Sequence, residues 1–352
     1  MNNIIQAIET TVKNKKRSKA IYQEVYKKRR LYARKIRWLL KSGSFTPKRK
    51  SPFTRRDPIN GKLRAIDSAP FWPDQIVHTL LIQTAKPYFT HSMIDQCCAC
   101  VPGRGPHYGK KYIERWAKIP KKKYFVKLDI KKYYPSVSNH AAAYAIKRKF
   151  KPCLWRDTFL KVLNTYPYLP IGLLTSQWTA NLILERTDHF AKETLKIKYY
   201  LRYMDDVLMM GYNKRELAQQ AEAYSRYLKD TLNLTIKPNW NIPRFDYKDR
   251  RGRRRGKPID MLGFRFYADH TAIRRGVFKR IRRRCIRYTT RNPTLKTASA
   301  LLSSYGWIKA TDTQTFYKTN LQPHFKHAKE MIRHENTERP GTASPGNQPP
   351  DQ

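Results

Sequence analysis

The sequence predicts an α+β fold in which long basic helices enclose a few short apolar strands. Apolar residues recur at helical spacing over most of the chain, as in Ile21, Val25, Leu31, Ile36, Leu39 and Leu40. Short apolar or aromatic runs bounded by polar turns interrupt the helices at residues 124–128, 199–202 and 207–210. The stretch Met261-Leu262-Gly263-Phe264-Arg265-Phe266 alternates about a glycine that suits a strand turn.

A chain of 352 residues can bury a sizeable core, as one multi-lobed unit or as two to three subdomains. Its 73 Lys+Arg against 26 Asp+Glu leave a formal charge of +47, which repels itself unless a polyanion is bound, so nucleic acid is the default partner. An aromatic content of 12%, with 23 Tyr, argues for a folded protein able to stack on bases and against a disordered basic one. With no apolar run of spanning length and no signal-peptide core near Met1, a cytoplasmic location without membrane contact is expected. Of five cysteines, Cys97, Cys98 and Cys100 cluster while Cys153 and Cys285 stand apart. The cluster lacks the paired spacing of a zinc site, so reduced, buried structural thiols are expected.

Residues 4–41 read as two basic helices broken near Asn14 to Ser18, and Gly43 and Pro47 end them. Their charge favours a phosphate-facing surface over the plain solvated face of packed helices. Residues 53–66 read as a hairpin, with turn signals at Asp57-Pro58 and Asn60-Gly61. Arg55, Arg56, Lys62 and Arg64 on it make either a triphosphate clamp or ordinary basic decoration. A helix over 71–89 is expected to stop at Pro87. The following turn, Cys100-Val101-Pro102-Gly103-Arg104-Gly105-Pro106, is not a Walker loop; it suits close approach to nucleic acid or a plain turn.

The buried run at 124–128 ends in Asp129, placed either as a metal ligand or as a helix cap. Helices resume over 139–150 and 155–163. In the loop 169–177, Gly172 permits close backbone approach, and Ser176 is the natural cap of a helix from about 178 to 195. Tyr203-Met204-Asp205-Asp206 then joins two half-buried strands at a tight turn. Adjacent carboxylates repel unless a cation neutralises them, so this is either a polar surface turn or a metal site. A helix over 214–232 leads to a strand at 234–236. Residues 248–257 look too charged to pack and are expected to stay flexible until they meet a polyanion. A basic helix over 274–287 and helices over 295–305 and 316–332 precede a tail, 333–352, expected to be disordered.

Asp129 at a strand end and Asp205-Asp206 on a turn suit one chemical problem. Nucleotidyl transfer uses two divalent ions about 3.5–4 Å apart, one at the attacking 3′-hydroxyl and one at the triphosphate. Mg²⁺ takes hard oxygen ligands, which carboxylates from separate strands supply.

At this point the sequence resembles reverse transcriptases in five ordered blocks between about Gly43 and Leu321. Tyr203-Met204-Asp205-Asp206 resembles the family's palm hairpin, and Leu128-Asp129-Ile130-Lys131-Lys132-Tyr133-Tyr134 its first catalytic strand. Asn60-Gly61-Lys62-Leu63-Arg64 resembles the fingers element at the triphosphate. Asp260-Met261-Leu262-Gly263-Phe264 resembles the primer-grip strand pair, and residues 232–237 the segment with a lysine near the incoming nucleotide. The resemblance implies a right-hand polymerase fold: basic helices at 1–42, fingers and palm at 43–268, a helical thumb at 269–332, then the tail. It implies catalysis by Asp129, Asp205 and Asp206, with two Mg²⁺ (Mn²⁺ as substitute) on these acids and the Ile130 carbonyl. Lys62, Arg64, Tyr134, Ile171, Gly172, Gln177 and Lys237 would surround the dNTP, Tyr134 excluding a 2′-hydroxyl. Arg55, Arg56, Arg104, Tyr203, Met204, Gly263, Arg274 and Arg275 would contact template RNA or the cDNA/RNA hybrid.

One block departs from the common pattern. Where most reverse transcriptases carry Gln-Gly and then Ser-Pro, this chain has Ile171-Gly172 and Ser176-Gln177. That form is similar to the reverse transcriptases of diversity-generating retroelements. The likeness implies error-prone copying of a template-repeat RNA at adenines, mutagenic retrohoming, and a small basic oligomeric accessory protein. Other bacterial types, retron-like or group II intron-like, are the nearest alternatives, and a non-catalytic RNA-binding scaffold with a polymerase fold is a third. The absence of a Val-Thr-Gly thumb motif, the short chain and the three intact acids weigh against them in turn.

Overall fold

The computed structural model describes residues 1–13, 15, 20–56, 61, 63–290 and 293–338, with side chains to 334. The chain divides into two compact units, Met1–Phe245 and the remainder from Asp246. The strands around Gly263 therefore belong to the second unit. Among the described residues no helix is long and apolar enough to cross a membrane.

The first unit opens with three helices where two are expected: α1 (Asn2–Lys13), α2 (Ala20–Lys27) and α3 (Arg29–Lys41). The apolar stripe of α1 (Ile4, Ala7, Ile8, Val12) is buried, and Thr11 Oγ1 donates to Thr79 Oγ1 at 2.8 Å. Strands β1 (Lys50–Arg56) and β2 (Leu63–Ser68) form the expected antiparallel hairpin. A π-helical turn, Phe71–Gln75, leads into α4 (Ile76–His91). This helix runs through Pro87 and ends a turn later at Ser92, because a single missing N–H in a well-buried helix is tolerated.

Helix α5 (Pro106–Ala117) precedes the central sheet of β3 (Tyr124–Asp129), β4 (Tyr199–Tyr203) and β5 (Asp206–Gly211), ordered β3-β5-β4 and antiparallel throughout. The middle strand β5 buries Val207, Leu208, Met209 and Met210 in succession, so both sheet faces are covered and its sequence is continuously apolar. Between β3 and β4 lie α6 (Tyr133–Ser136), α7 (Asn139–Lys149), α8 (Leu154–Asn164), α9 (Leu174–Ile183) and α10 (Glu185–His189). Helix α9 starts at Leu174, four residues before the expected 178. Ser176 thus lies inside the helix, buried, and Leu173 takes the cap position without a side-chain bond. After β5, Asn213 caps α11 (Lys214–Leu232) by accepting from Arg215 N at 2.9 Å and Glu216 N at 3.3 Å. Residues 234–236 form no strand of their own, only an isolated bridge from Ile236 to Ile130.

In the second unit the expected flexible loop is a short hairpin, β6 (Tyr247–Lys248) with β7 (Arg254–Arg255). Its charge is compensated internally: Arg254 reaches Asp246 at 2.5 Å and Asp269 at 2.8 Å, and Arg253 reaches Asp249 at 3.3 Å. Strands β8 (Ile259–Met261), β9 (Phe264–Phe266) and β10 (Thr271–Ile273) make a three-stranded sheet, followed by α12 (Arg275–Thr290) to α16 (Gln322–Glu338). The last helix runs to Glu338, six residues past the expected end at 332. Of the expected tail, 339–352 lie outside the described residues.

Two of the thiols depart from expectation. Cys97, Cys98 and Cys285 are buried, but Cys100 and Cys153 are exposed.

Candidate active site

Strands β4 and β5 join through the two-residue turn Met204-Asp205, with Met204 in the left-handed region at φ +55°. Asp129, last in β3, pairs directly across from Asp206, first in β5, and Tyr203 pairs with Asp206 from the other side. Directly opposed residues of an antiparallel pair share a face, so Asp129 and Asp206 project together. The turn is tied back to the neighbouring strand, since Ile130 N donates to the Asp205 carbonyl at 3.3 Å.

The segment after α11 flanks the same acid. Lys131 N donates to Thr235 O at 2.8 Å and Lys237 N to Asp129 O at 2.9 Å, which brings Lys237 Nζ to 2.6 Å from Asp129 Oδ2. The other carboxylate oxygen, Asp129 Oδ1, is buried with no hydrogen-bond partner. Burial, then the neighbouring Asp206 and Asp129, push the Asp205 carboxyl up to about 6, opposed by a backbone hydrogen bond and by Lys237.

These features suit a hard cation. A buried carboxylate oxygen lacking a donor and a second carboxyl whose ionisation is suppressed by like charge both gain from a divalent ion on oxygen ligands. Among the described residues no group of three or more His, Cys, Asp or Glu lies close enough to hold a metal by itself.

The two-stranded β1–β2 hairpin places Arg55 directly opposite Arg64, with Arg56 beside them, and all three are exposed. Exposed guanidinium groups in direct cross-strand register offer an anion several donors at once. Lys62 lies outside the described residues. The foot of this hairpin is fastened to the loop before α9. Asp67 N donates to Ile171 O at 2.8 Å, and Gly172, at φ +115°, packs so closely on Ile66 and Asp67 that a Cβ would sit 2.7 Å from Ile66 Cγ2. Ile171 is half-buried there and Gln177 is exposed on α9.

Tyr134 lies in α6, which follows Lys132 in the left-handed conformation at φ +47°. Its ring packs edge-on to Tyr133 at 5.7 Å, and burial, then Cys100 and Asp205, hold its phenol neutral well above the ordinary range. Tyr134 and Asp205 therefore lie near each other, although 71 residues separate them in sequence. Cys100 Sγ lies 3.8 Å from Met204 Sδ and completes this corner.

Several of the expected contact residues are engaged within the protein itself. The Arg104 guanidinium is spent inside its own turn, donating to Ile94 O at 2.7 Å and Cys97 O at 3.5 Å and pairing with Asp95 at 3.0 Å. Two carbonyls and a carboxylate thus tie that side chain to its own turn, which it braces. In the second unit, Gly263 (φ +86°) lies flat against Trp307, where a Cβ would meet the ring at 2.6 Å, and Arg274 is paired with Asp260. Arg275 opens α12 and is exposed. Sequence reasoning passed over Asn181, Asp188 and Arg202, which sit buried beneath the turn. The available signal was a lone arginine inside the otherwise apolar-aromatic run Tyr199-Tyr200-Leu201-Arg202-Tyr203.

Residues 47–241 match the family model described as "Reverse transcriptase (RNA-dependent DNA polymerase)", which is more than half of the chain. The chain belongs to the reverse transcriptase family and has its right-hand polymerase fold, of mixed helix and sheet. Among solved structures it is similar to telomerase from Candida albicans in complex with a TWJ fragment of telomeric RNA, with 11% identity and a TM-score of 0.46, over 83% of this chain and 58% of that one. It is also similar to apo telomerase from Candida tropicalis, with 11% identity and a TM-score of 0.48, over 81% and 62%. The chain spans less than two thirds of the length of either. No curated protein matches it.

Proposed function

We propose that this chain is an RNA-directed DNA polymerase of the diversity-generating retroelement type. It copies a template-repeat RNA into cDNA with frequent errors at adenines, for mutagenic retrohoming, aided by a small basic oligomeric accessory protein. The observation that carries the polymerase reading is the convergence of Asp129, Asp205 and Asp206 at one end of the central sheet. Two Mg²⁺ held by Asp129, Asp205 and the Ile130 carbonyl, with Asp206 in support, would lower the charge barrier between the primer 3′-hydroxyl and the α-phosphate. The chain's own residues do the rest. Arg64, with Arg55 and Arg56 on the opposite strand, receives the triphosphate. The Tyr134 ring lies under the sugar and leaves no room for a 2′-hydroxyl. Lys237, held on Asp129 in the free protein, is within reach of the leaving pyrophosphate once that carboxylate is engaged elsewhere.

The retroelement reading rests on position 171. The Ile171 carbonyl is bound to Asp67 N, and Gly172 is wedged against Ile66, so the backbone there is fixed and the side chain is the free variable. An aliphatic side chain in place of an amide removes a donor and an acceptor beside the template pair. One hydrogen bond lost is worth roughly 1 kcal/mol, or roughly fivefold in discrimination.

Primer extension on an RNA template tests the first claim: wild type extends with dNTPs, and Asp205→Asn abolishes extension while leaving the melting temperature unchanged or raised. Wild type without extension, or an active Asp205→Asn, overturns it. For the second, Ile171→Gln should lower misincorporation opposite template adenine several-fold in sequenced cDNA. An unchanged adenine error rate defeats the fidelity argument.

A further inference from the structure

Arg202 is fully buried although it stands only two residues before the turn, and each of its five N–H groups has an acceptor. Nε donates to Asp188 Oδ1 at 2.6 Å and one terminal nitrogen to Asp188 Oδ2 at 2.7 Å, a two-pronged ion pair. The same nitrogen reaches Asn181 O at 3.3 Å and Cys97 Sγ at 3.3 Å. The other terminal nitrogen donates to Asn181 Oδ1 at 2.9 Å and to the Met204 carbonyl at 3.1 Å. That last bond clasps the turn carrying Asp205 at its strained residue, since Met204 holds φ +55° without being glycine.

The Arg202 backbone is fixed as firmly as its side chain. Arg202 N donates to Gln96 O at 3.0 Å, and Cys98 N donates to Arg202 O at 2.9 Å. Asp188 in turn accepts from Tyr200 at 2.7 Å, and Tyr200 lies 3.2 Å from the Tyr224 hydroxyl. One planar guanidinium therefore connects β4, α9, α10 and the 96–98 segment to the turn. A buried ion pair earns little net stability against an apolar substitute, so stability alone is a weak reason for this arrangement.

We infer that Arg202 is a positioning residue for nucleotidyl transfer: through the Met204 carbonyl and the Asp188–Asn181 anchor it sets the orientation of Asp205 and Asp206 relative to Asp129. The inference rests on the polymerase reading above. Lysine cannot replace it, because an ammonium offers three donors from a single point and cannot span Asp188, Asn181 and Met204 together.

The test compares full-length wild type with Arg202→Lys, Asn181→Ala and Tyr224→Phe, at a temperature where circular dichroism shows each folded. Tyr224→Phe removes a hydroxyl from the same network without touching Arg202 or the turn, and it controls for plain destabilisation. Arg202→Lys should lower kcat by roughly 10–100-fold, as small misplacements do, with the dNTP KM within about twofold. It should also weaken Mn²⁺ binding read by electron paramagnetic resonance. Asn181→Ala, which removes one anchor and keeps the arginine, should show the same pattern in weaker form and serves if Arg202→Lys does not fold. Tyr224→Phe should lose stability while keeping both kcat and Mn²⁺ affinity. If the folded Arg202→Lys and Asn181→Ala variants keep wild-type kcat and Mn²⁺ affinity, or if Tyr224→Phe falls as far as they do, positioning by Arg202 is overturned. Should wild type itself fail to polymerise, the proposed function fails, and the Mn²⁺ comparison still decides whether Arg202 orients the acids.

Discussion

Replacing Gly172 with alanine strikes the joint between the β1–β2 hairpin and α9. At φ +115° an L residue is strained by itself, at a cost of about 1–3 kcal/mol. The added methyl would also stand 2.7 Å from Ile66 Cγ2 and still closer to the Asp67 carbonyl oxygen. The isoleucine methyl can turn away, but a backbone oxygen cannot, so the strand and the loop must part by about half an ångström or more. That opening stretches the 2.8 Å bond from Asp67 N to Ile171 O, whose loss costs a further 1 kcal/mol or so. Gly172→Ala should thus destabilise the protein by about 2–4 kcal/mol and shift the hairpin bearing Arg55 and Arg64 away from α9. The kinetic consequence falls on substrate binding, so the dNTP KM should rise several-fold while kcat falls less. Urea unfolding and steady-state primer extension measure both effects. An unchanged urea midpoint together with an unchanged KM would refute the claim that this joint sets the position of the hairpin.

Two further predictions follow from the same unit. Tyr134→Ala should admit ribonucleotides, with the ratio of kcat/KM for dNTP over NTP falling by more than tenfold in single-nucleotide incorporation; an unaltered ratio removes Tyr134 from sugar selection. His78, buried on α4 and 3.0 Å from Thr175 Oγ1, has its pKa pushed down to about 4 by burial. The unfolded chain therefore takes up a proton near pH 6.5 that the folded chain refuses, so stability is complete above that pH and falls by about 1.4 kcal/mol per unit below it, down to about pH 4. Wild type should lose urea resistance between about pH 7 and pH 5 more steeply than His78→Gln, and parallel curves would contradict the assignment.

What was legible in the sequence is what local pattern encodes. The apolar run at 207–210 reads as a strand and the amphipathic stretch 214–232 as a helix, so β5 and α11 fall where expected, although β5 is covered on both faces and not half-buried. The acids were legible because two adjacent carboxylates among apolar strands require a reason. Other features depend on partners distant in sequence, and these were hidden. The arginines of residues 248–257 looked unpackable until Asp246 and Asp269 came within reach of Arg254. Arg104 looked available for nucleic acid because nothing in its sequence shows that the Ile94 carbonyl faces it. Ser176 has the chemistry of a cap, yet α9 begins earlier because its preceding loop is pinned to β2 through Ile171.

The candidate site gathers several locally unfavourable features in a small volume. Arg55 faces Arg64 across a hairpin, Asp129 faces Asp206 across the sheet, Met204 is strained, and one oxygen of Asp129 is buried without a donor. The core around Arg202, by contrast, gives every guanidinium donor an acceptor. Under the proposed function, a buried oxygen of Asp129 without a donor and a strained Met204 beside it are features that a bound substrate can use. A triphosphate with its divalent ions brings negative charge to the arginines and positive charge to the acids in a single molecule. On the proposed function, one substrate would thus engage both the arginines of the hairpin and the acids of the sheet.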